Sequence, residues 1–244
     1  MPDFEDIFAV PAQFSGYARL FPVPNLVMFP AVLQPLNVFE LRYREMVKEA
    51  LETDMLIAMA NLQEGWENDY EGRPPVHSVA CLGKIVMHTR LPDGRYNLLL
   101  QGLRRIKIVR ETPPIRPFRI AEVEILDDEF EAAADSSRAE MHRELLDLFG
   151  VWASRSDFSP EQFRQIFSMS MPLGALADIV GYTIPFSDAT RRRLLSETCV
   201  DRRASMLLKR LRKRLEASES LEDEEAFLEP ATASALFPPP FSVN

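Results

Sequence analysis

Ser205 and Lys209 stand one helical turn apart, a spacing at which a serine nucleophile can share its proton with a lysine base. That chemistry needs a lysine kept neutral by burial and a serine facing an oxyanion hole. Here Lys209 sits among Arg203, Arg210, Arg212 and Lys213, the pattern of a solvated helix face. No catalytic residue is assigned, and the chain is not expected to be an enzyme. The histidines His77, His88 and His142 fall outside any His-Glu-x-x-His spacing, and no Cys-x-x-Cys pair accompanies them. The acidic runs Glu122–Glu131 and Glu222–Glu225 lack the Asp-x-Asp-x-Asp-Gly spacing of a calcium loop and read as a solvated linker and a tail. A Gly-x-x-x-x-Gly-Lys-Ser/Thr phosphate loop is also missing. Neither a metal nor a cofactor is expected.

Residues suited to binding are easier to find. Arg104, Arg105, Lys107 and Arg110 form a basic patch on one predicted strand, and Arg202, Arg203, Lys209, Arg210, Arg212, Lys213 and Arg214 crowd the last predicted helix. Binding of nucleic acid or a small ligand through the Arg104–Arg110 strand is therefore the alternative reading. The formal charge of −9 opposes it, and neither cluster interleaves the aromatics that stack bases. The acid run from Glu216 to Glu225 can also neutralise the basic helix in cis. The apolar candidate is of another kind: Leu26, Val27, Met28 and Phe29 precede Pro30, and Ala31, Val32, Leu33, Pro35 and Leu36 follow it. A proline-interrupted apolar segment near a sheet edge offers side chains and unpaired backbone groups to an extended chain. Met28, Phe29, Leu33, Leu36 and Phe39 are the expected contact residues, together with a groove between the two halves of the chain. The competing reading places most of them in a core and leaves one or two exposed.

Elements must hold these residues in place, and the totals allow them. The chain has 244 residues, 46% of them hydrophobic and 27% charged, which suits one large or two small globular units. Cys81 and Cys199 are far apart and flanked by apolar residues, as buried thiols in a reducing compartment are. No basic, apolar leader marks secretion and no run approaches the ~20 apolar residues of a membrane span. A cytoplasmic protein is expected.

Ala18 to Phe29 is apolar and broken by Pro22 and Pro24, which predicts an edge strand followed by a turn. Phe39 to Glu52 has helical spacing in Phe39, Tyr43, Met46, Val47, Ala50 and Leu51. Met55 to Leu62 has strand length, and 63–75 is a polar loop. Ala80–Leu91 and Tyr96–Arg110 flank Asp93-Gly94 as a hairpin, with Gly102 marking a bulge or bend. Phe118 to Leu126 predicts one more strand. Asp127 to Glu140 has no apolar period and marks the boundary to a helical half. Its stripes are Leu145, Leu146, Phe149 and Trp152; Phe163, Ile166 and Phe167, opened by Ser159-Pro160-Glu161; and Leu173, Leu176, Ala177 and Val180, ended by Gly181. Ser187 and Asp201 cap the two helices that follow. The domains read as a leader (1–17), a β-rich part (18–127), a linker (128–140), a helical part (141–217) and an acidic, proline-rich, disordered tail (218–244).

Two stretches carry a family resemblance. One is Leu20-Phe21-Pro22-Val23-Pro24-Asn25-Leu26-Val27-Met28-Phe29-Pro30 with Leu36-Asn37-Val38-Phe39-Glu40-Leu41-Arg42-Tyr43-Arg44-Glu45-Met46-Val47. The other is Gly83-Lys84-Ile85-Val86, Pro92-Asp93-Gly94-Arg95-Tyr96, Leu98-Leu99-Leu100-Gln101-Gly102-Leu103-Arg104-Arg105 and Ala121-Glu122-Val123-Glu124. They resemble the N-terminal substrate-binding domain of the Lon protease family. The segment Pro172-Leu173-Gly174-Ala175-Leu176-Ala177-Asp178 resembles the opening of a helix in the same region. The resemblance implies an α+β fold: a PUA-like small β-barrel with a helix, followed by a C-terminal α-helical bundle. It implies a stand-alone, non-catalytic binder of unfolded proteins or peptides, an adaptor or chaperone-like module without the ATPase and protease parts, which works alone or with a protease or chaperone complex. PUA domains proper bind RNA, yet a nucleic-acid or membrane partner is not expected; a monomer or dimer is. Two positions depart from the family pattern. Ala31 stands where glycine is frequent, and Asn37 where histidine is common.

Overall fold

The computed structural model describes residues 8–70, 72–132, 135–156 and 171–222. Strands β1 (Tyr17–Val23) and β2 (Leu33–Val38) come first, then helix α1 (Leu41–Glu52), strand β3 (Leu56–Asn61) and a 3-10 turn at Trp66–Asp69. The hairpin follows as β4 (Val79–Arg90) and β5 (Tyr96–Glu111), and β6 (Arg119–Leu126) completes the sheet. Helices α2 (Asp135–Ser154), α3 (Leu173–Thr183), α4 (Asp188–Ser196) and α5 (Val200–Glu222) make up the second half. The six strands are ordered β2-β5-β4-β3-β1-β6, and β6 also pairs with β5. Only β1 and β3 run parallel, so the sheet is mixed.

β1 is not the edge strand that its prolines predict: it lies between β3 and β6. Its ladder to β6 spans only Tyr17 to Leu20. Pro22 falls beyond that ladder, where β1 has a strand on one side alone, so a missing N–H is tolerated there. The edge strand is β2, and Pro35 lies within it.

Glycine is required at two places. Gly94 turns the hairpin at a φ of 84°. Gly102 lies under the Phe29–Val32 crossing: Ala31 N–H donates to its carbonyl at 3.0 Å and its own N–H donates to Val32 at 2.8 Å. A Cβ on Gly102 would come within 2.1 Å of the Phe29 carbonyl oxygen. The bulge expected here is present one residue on, where Leu103 is the extra residue between the Leu82–Arg104 and Gly83–Gly102 pairs. Ala31 itself adopts a φ of 61°, the left-handed region. A left-handed φ is strained for alanine and free for glycine.

One apolar cluster joins the two halves. Met28, Phe29 and Leu36 from the sheet side pack with Met46 and Val47 of α1 and with Phe149, Val180, Leu194 and Leu207 of the helices. Leu20, Ala58, Leu82, Leu103 and Ile106 form a second cluster within the sheet. Gly181 does not end α3 as its type suggests. The helix runs on to Thr183, and a Cβ at Gly181 would meet Leu194 at 3.5 Å and the Phe29 ring at 3.8 Å. The helix before α3 expected from Phe163, Ile166 and Phe167, the leader up to residue 7 and the tail beyond 222 lie outside the described residues.

The acidic stretch after β6 is exposed, as a solvated linker is, but it is tied to the helices. Glu129 makes a parallel bridge to Cys199, Glu131 N–H donates to Asp201 at 2.8 Å, and α2 already begins at Asp135. Asp201 therefore holds a neighbouring segment rather than capping its own helix, with Arg138 Nε 2.9 Å from its carboxylate. Burial pushes that carboxyl's pKa up, but the Glu131 N–H and Arg138 outweigh it and hold the pKa below the ordinary carboxylate range. Ser187 caps α4 as expected, accepting from Thr190 N–H at 3.4 Å.

These backbone constraints predict opposite outcomes at neighbouring sites. Ala31→Gly relieves left-handed strain and is expected to stabilise the fold by about 1 kcal/mol. Gly102→Ala forces the Phe29 carbonyl aside and is expected to cost about 3 kcal/mol. Urea unfolding monitored by circular dichroism measures both.

Candidate functional site

The predicted basic patch on β5 separates, because alternate residues of a strand face opposite ways. Arg105 is only 2% exposed and points into the helical half. It donates twice to Asp178 on α3, at 2.8 and 2.5 Å, and once to the Leu195 carbonyl at the end of α4, at 2.8 Å. Arg203 of α5, with no exposed surface, reaches Asp128 with one terminal nitrogen, at 3.0 and 3.1 Å, and the Glu197 carbonyl with the other, at 2.8 Å. Its Nε stands 3.1 Å from Asp178 in ionic contact but is not aligned to donate. Burial lowers the Arg105 pKa, yet the Asp178 and Asp128 carboxylates overcome that and raise it. The guanidinium is thus a permanent cation holding β5 to the helices, not a surface for ligands. Lys107 and Arg110 are exposed but sit opposite Glu124 at 3.8 Å and Glu122 at 2.8 Å on β6. Arg104 faces a cleft described below. No continuous basic stripe results.

The apolar segment also divides. Met28 and Phe29 have no exposed surface and Leu36 is 1% exposed, so these three are core, whereas Leu33 and Phe39 are 47% and 43% exposed. Phe39 precedes α1 instead of opening it, and leaves Tyr43, Met46, Val47 and Ala50 as that helix's buried face. Strand register places Leu33 in a larger surface, the outer face of β2, β5 and β4. Across it run three rows: Asn37, Asn97 and Thr89; Pro35, Leu99 and Met87; Leu33, Gln101 and Lys84. Asn37 donates to Asn97 at 2.7 Å, which fixes this face. An irregularity between Ile85 and Met87 makes Val86 the extra residue, and Val86 and Met87 are consequently exposed in succession, at 46% and 65%. The middle row is therefore an apolar bar across three strands, beside an edge with no further strand. Val86 and Met87 carry no distinguishing sequence signal, because β4 is already apolar without alternation from Val79 to Leu82.

Between the halves lies a cleft of about 280 Å³. Phe8, Pro30, Leu126, Phe130, Pro172 and Ala175 contribute apolar walls, and Arg104 and Asp127 face it. This is the groove expected between the two halves.

The remaining candidates lie apart from one another. Ser205 Oγ donates to the Asp201 carbonyl at 2.8 Å, and Lys209 is exposed one turn on. His142 Nε2 lies 3.0 Å from the Met171 carbonyl, and His88 is exposed on β4. His77 has its pKa lowered, first by burial and then by Arg192. Cys81 and Cys199 are buried free thiols, and burial pushes Cys81 up so that it stays protonated. Among the described residues no group of metal-ligating side chains converges and no helix is long and apolar enough to cross a membrane.

Two solved structures share this fold. The N-terminal domain of the Mycobacterium avium complex Lon protease shares the fold with a TM-score of 0.63 at 20% identity, over 80% of this chain and 97% of that one. A Lon N-terminal domain protein from Xanthomonas campestris does so with a TM-score of 0.57 at 21% identity, over 79% and 97%. The model of the ATP-dependent protease La (LON) substrate-binding domain matches residues 18–213. The chain belongs to this Lon substrate-binding domain family. Among curated relatives, the Lon protease of Dictyoglomus thermophilum is 26% identical over 82% of this chain and 25% of its own length. The Lon protease of Xanthomonas oryzae is 27% identical over 78% and 22%. The chain thus spans about a quarter of the length of the relatives it matches.

The charge cluster predicts a specific non-additivity. Asp178→Leu alone strands Arg105 and is expected to cost about 3–5 kcal/mol. Adding Arg105→Met removes the stranded cation and is expected to recover about 2 kcal/mol of that loss. A double-mutant cycle in urea measures the coupling.

Proposed function

We propose that this protein grips apolar segments of non-native proteins on the outer face of β2, β5 and β4, and that it acts in the cytoplasm as an adaptor or chaperone-like module without chemistry of its own. The observation that carries this reading is the apolar bar of Pro35, Leu99 and Met87, with Leu33 and Val86 beside it, on an uncovered sheet face. Pro35 and Leu99 are half-buried and Leu33, Val86 and Met87 exposed, and clustered apolar side chains open to solvent mark interaction surfaces. Membership of the substrate-binding domain family supports the same reading. Phe39 extends the surface at the far end of β2, while Met28, Phe29 and Leu36 support it from the core.

The mechanism is association. Burying apolar area contributes about 25 cal/mol per Å², offset by ordering the bound chain. Flexible Met87 lets the surface accept varied side chains. A protease or chaperone complex is the natural recipient of what is gripped, and a monomer or dimer suffices. In the same reading the strands at 18–127 are a PUA-like small barrel, supported by the pairing of β6 with both β1 and β5, and the helices at 141–217 form a bundle. Nucleic-acid binding through β5 has little to stand on: Arg105 is internal, and Lys107 and Arg110 face carboxylates.

Equilibrium binding to a permanently unfolded protein, its native form and a single-stranded RNA, each at low and high salt, tests the proposal. Preference for the unfolded protein with little salt dependence is expected. Leu33→Asp with Met87→Asp is expected to lower that affinity about tenfold and leave the unfolding midpoint unchanged. Unaltered affinity in a folded double variant would refute this surface, and salt-sensitive RNA binding would move function to the basic residues.

A further inference from the structure

The outer face of β2, β5 and β4 carries an accessible sulfur. Met87, 65% exposed, is the only methionine among the described residues that is more than half-buried-side out: Met55, Met141 and Met206 are half-buried, and Met28, Met46, Met59 and Met171 are buried. Both cysteines are buried as well. Burial pushes the Cys81 pKa up, so this residue stays a thiol and not the thiolate that peroxides attack. A thioether needs no deprotonation to be oxidised, only access to its sulfur.

Met87 also stands where a change of polarity matters. It is paired with Leu99, which is paired with Pro35, so it closes one end of the apolar bar. Val86, the extra residue of the β4 irregularity, is exposed beside it. Met87 belongs to neither apolar cluster of the core, whereas Met28, Met46 and Met59 do. An oxygen added to Met87 therefore alters the surface and leaves the packing intact.

We propose that Met87 is a reversible oxidation site and that its conversion to the sulfoxide makes the outer face release apolar clients; this rests on the gripping function proposed above. The Met87 sulfur attacks one oxygen of hydrogen peroxide with a lone pair. The O–O bond breaks, an S–O bond forms and the other oxygen leaves as water. Sulfur loses two electrons and the peroxide gains them. Return takes two thiols of a methionine sulfoxide reductase, which are oxidised to a disulfide while the sulfoxide oxygen leaves as water. In the oxidised state a polar, hydrated S–O group ends the bar, and an apolar client can cover it only by stripping that water.

Graded hydrogen peroxide treatment of the full-length chain tests this, with peptide mapping by mass spectrometry and equilibrium binding of a permanently unfolded protein at each step. Met87 sulfoxide is expected to accumulate ahead of sulfoxide at Met55, Met141 and Met206. Affinity is expected to fall about fivefold in step with it, at an unchanged thermal midpoint. Methionine sulfoxide reductases for both sulfoxide epimers are expected to restore it. Met87→Leu is compared only with itself before and after peroxide, and is expected to lose the peroxide response, whereas Met55→Leu is expected to keep it. No binding by the untreated chain would sink the gripping function and this site with it. Binding that survives complete Met87 oxidation, or a loss that tracks another methionine or persists in Met87→Leu, would overturn the oxidation site alone.

Discussion

The bidentate contact between Arg105 and Asp178 is the constraint around which the two halves are arranged. A guanidinium and a carboxylate removed from water are costly unless every polar edge is matched. Arg105 meets that condition only when β5, the end of α4 and α3 are all in place, since its partners come from α3 and from the Leu195 carbonyl. Arg203 and Asp128 extend the requirement to α5 and to the segment after β6. The apolar cluster around Phe29 joins the halves by area, which many docking angles would satisfy. The charge cluster selects one of them.

That selection shapes the surfaces left over. Arg105 is spent on Asp178, whereas its neighbour Arg104, which lines the same cleft, has no ion pair among the described residues. Because Met28 and Phe29 are drawn into the shared core, the apolar residues that remain outside are those of the opposite pleat, Leu33 and Pro35, continued by Leu99 and Met87 on the neighbouring strands. Binding surfaces here are what the pleat leaves after the core has been filled.

Much of this was legible in the amino-acid order, for reasons of period. The hairpin around Gly94, helix α1 from Tyr43, Met46, Val47 and Ala50, and the Ser187 cap each rest on spacing within a short window. What was not legible depends on partners far along the chain. Arg105 is one of four basic residues in a row of seven, and only Asp178, 73 residues later, makes it internal. The acidic stretch after β6 is exposed, and its amino-acid order does not show that Asp201 and Arg203 reach it from α5. Pro22 argues for an edge, but a ladder that stops at Leu20 removes the conflict. Of the five apolar residues taken for a contact surface, Leu33 and Phe39 are exposed, because pleat and packing partners decide which ones face water.

Pro35 gives β2 a further property. An open strand edge is a template on which another chain can extend a sheet, and long apolar edges seed fibres. At the centre of this edge Pro35 has no N–H to give, and its carbonyl already accepts from the Gln34 side chain at 2.9 Å. A strand laid alongside would find a missing rung there. The apolar face thus lies beside an edge whose middle is poorly suited to pairing with another copy of the chain.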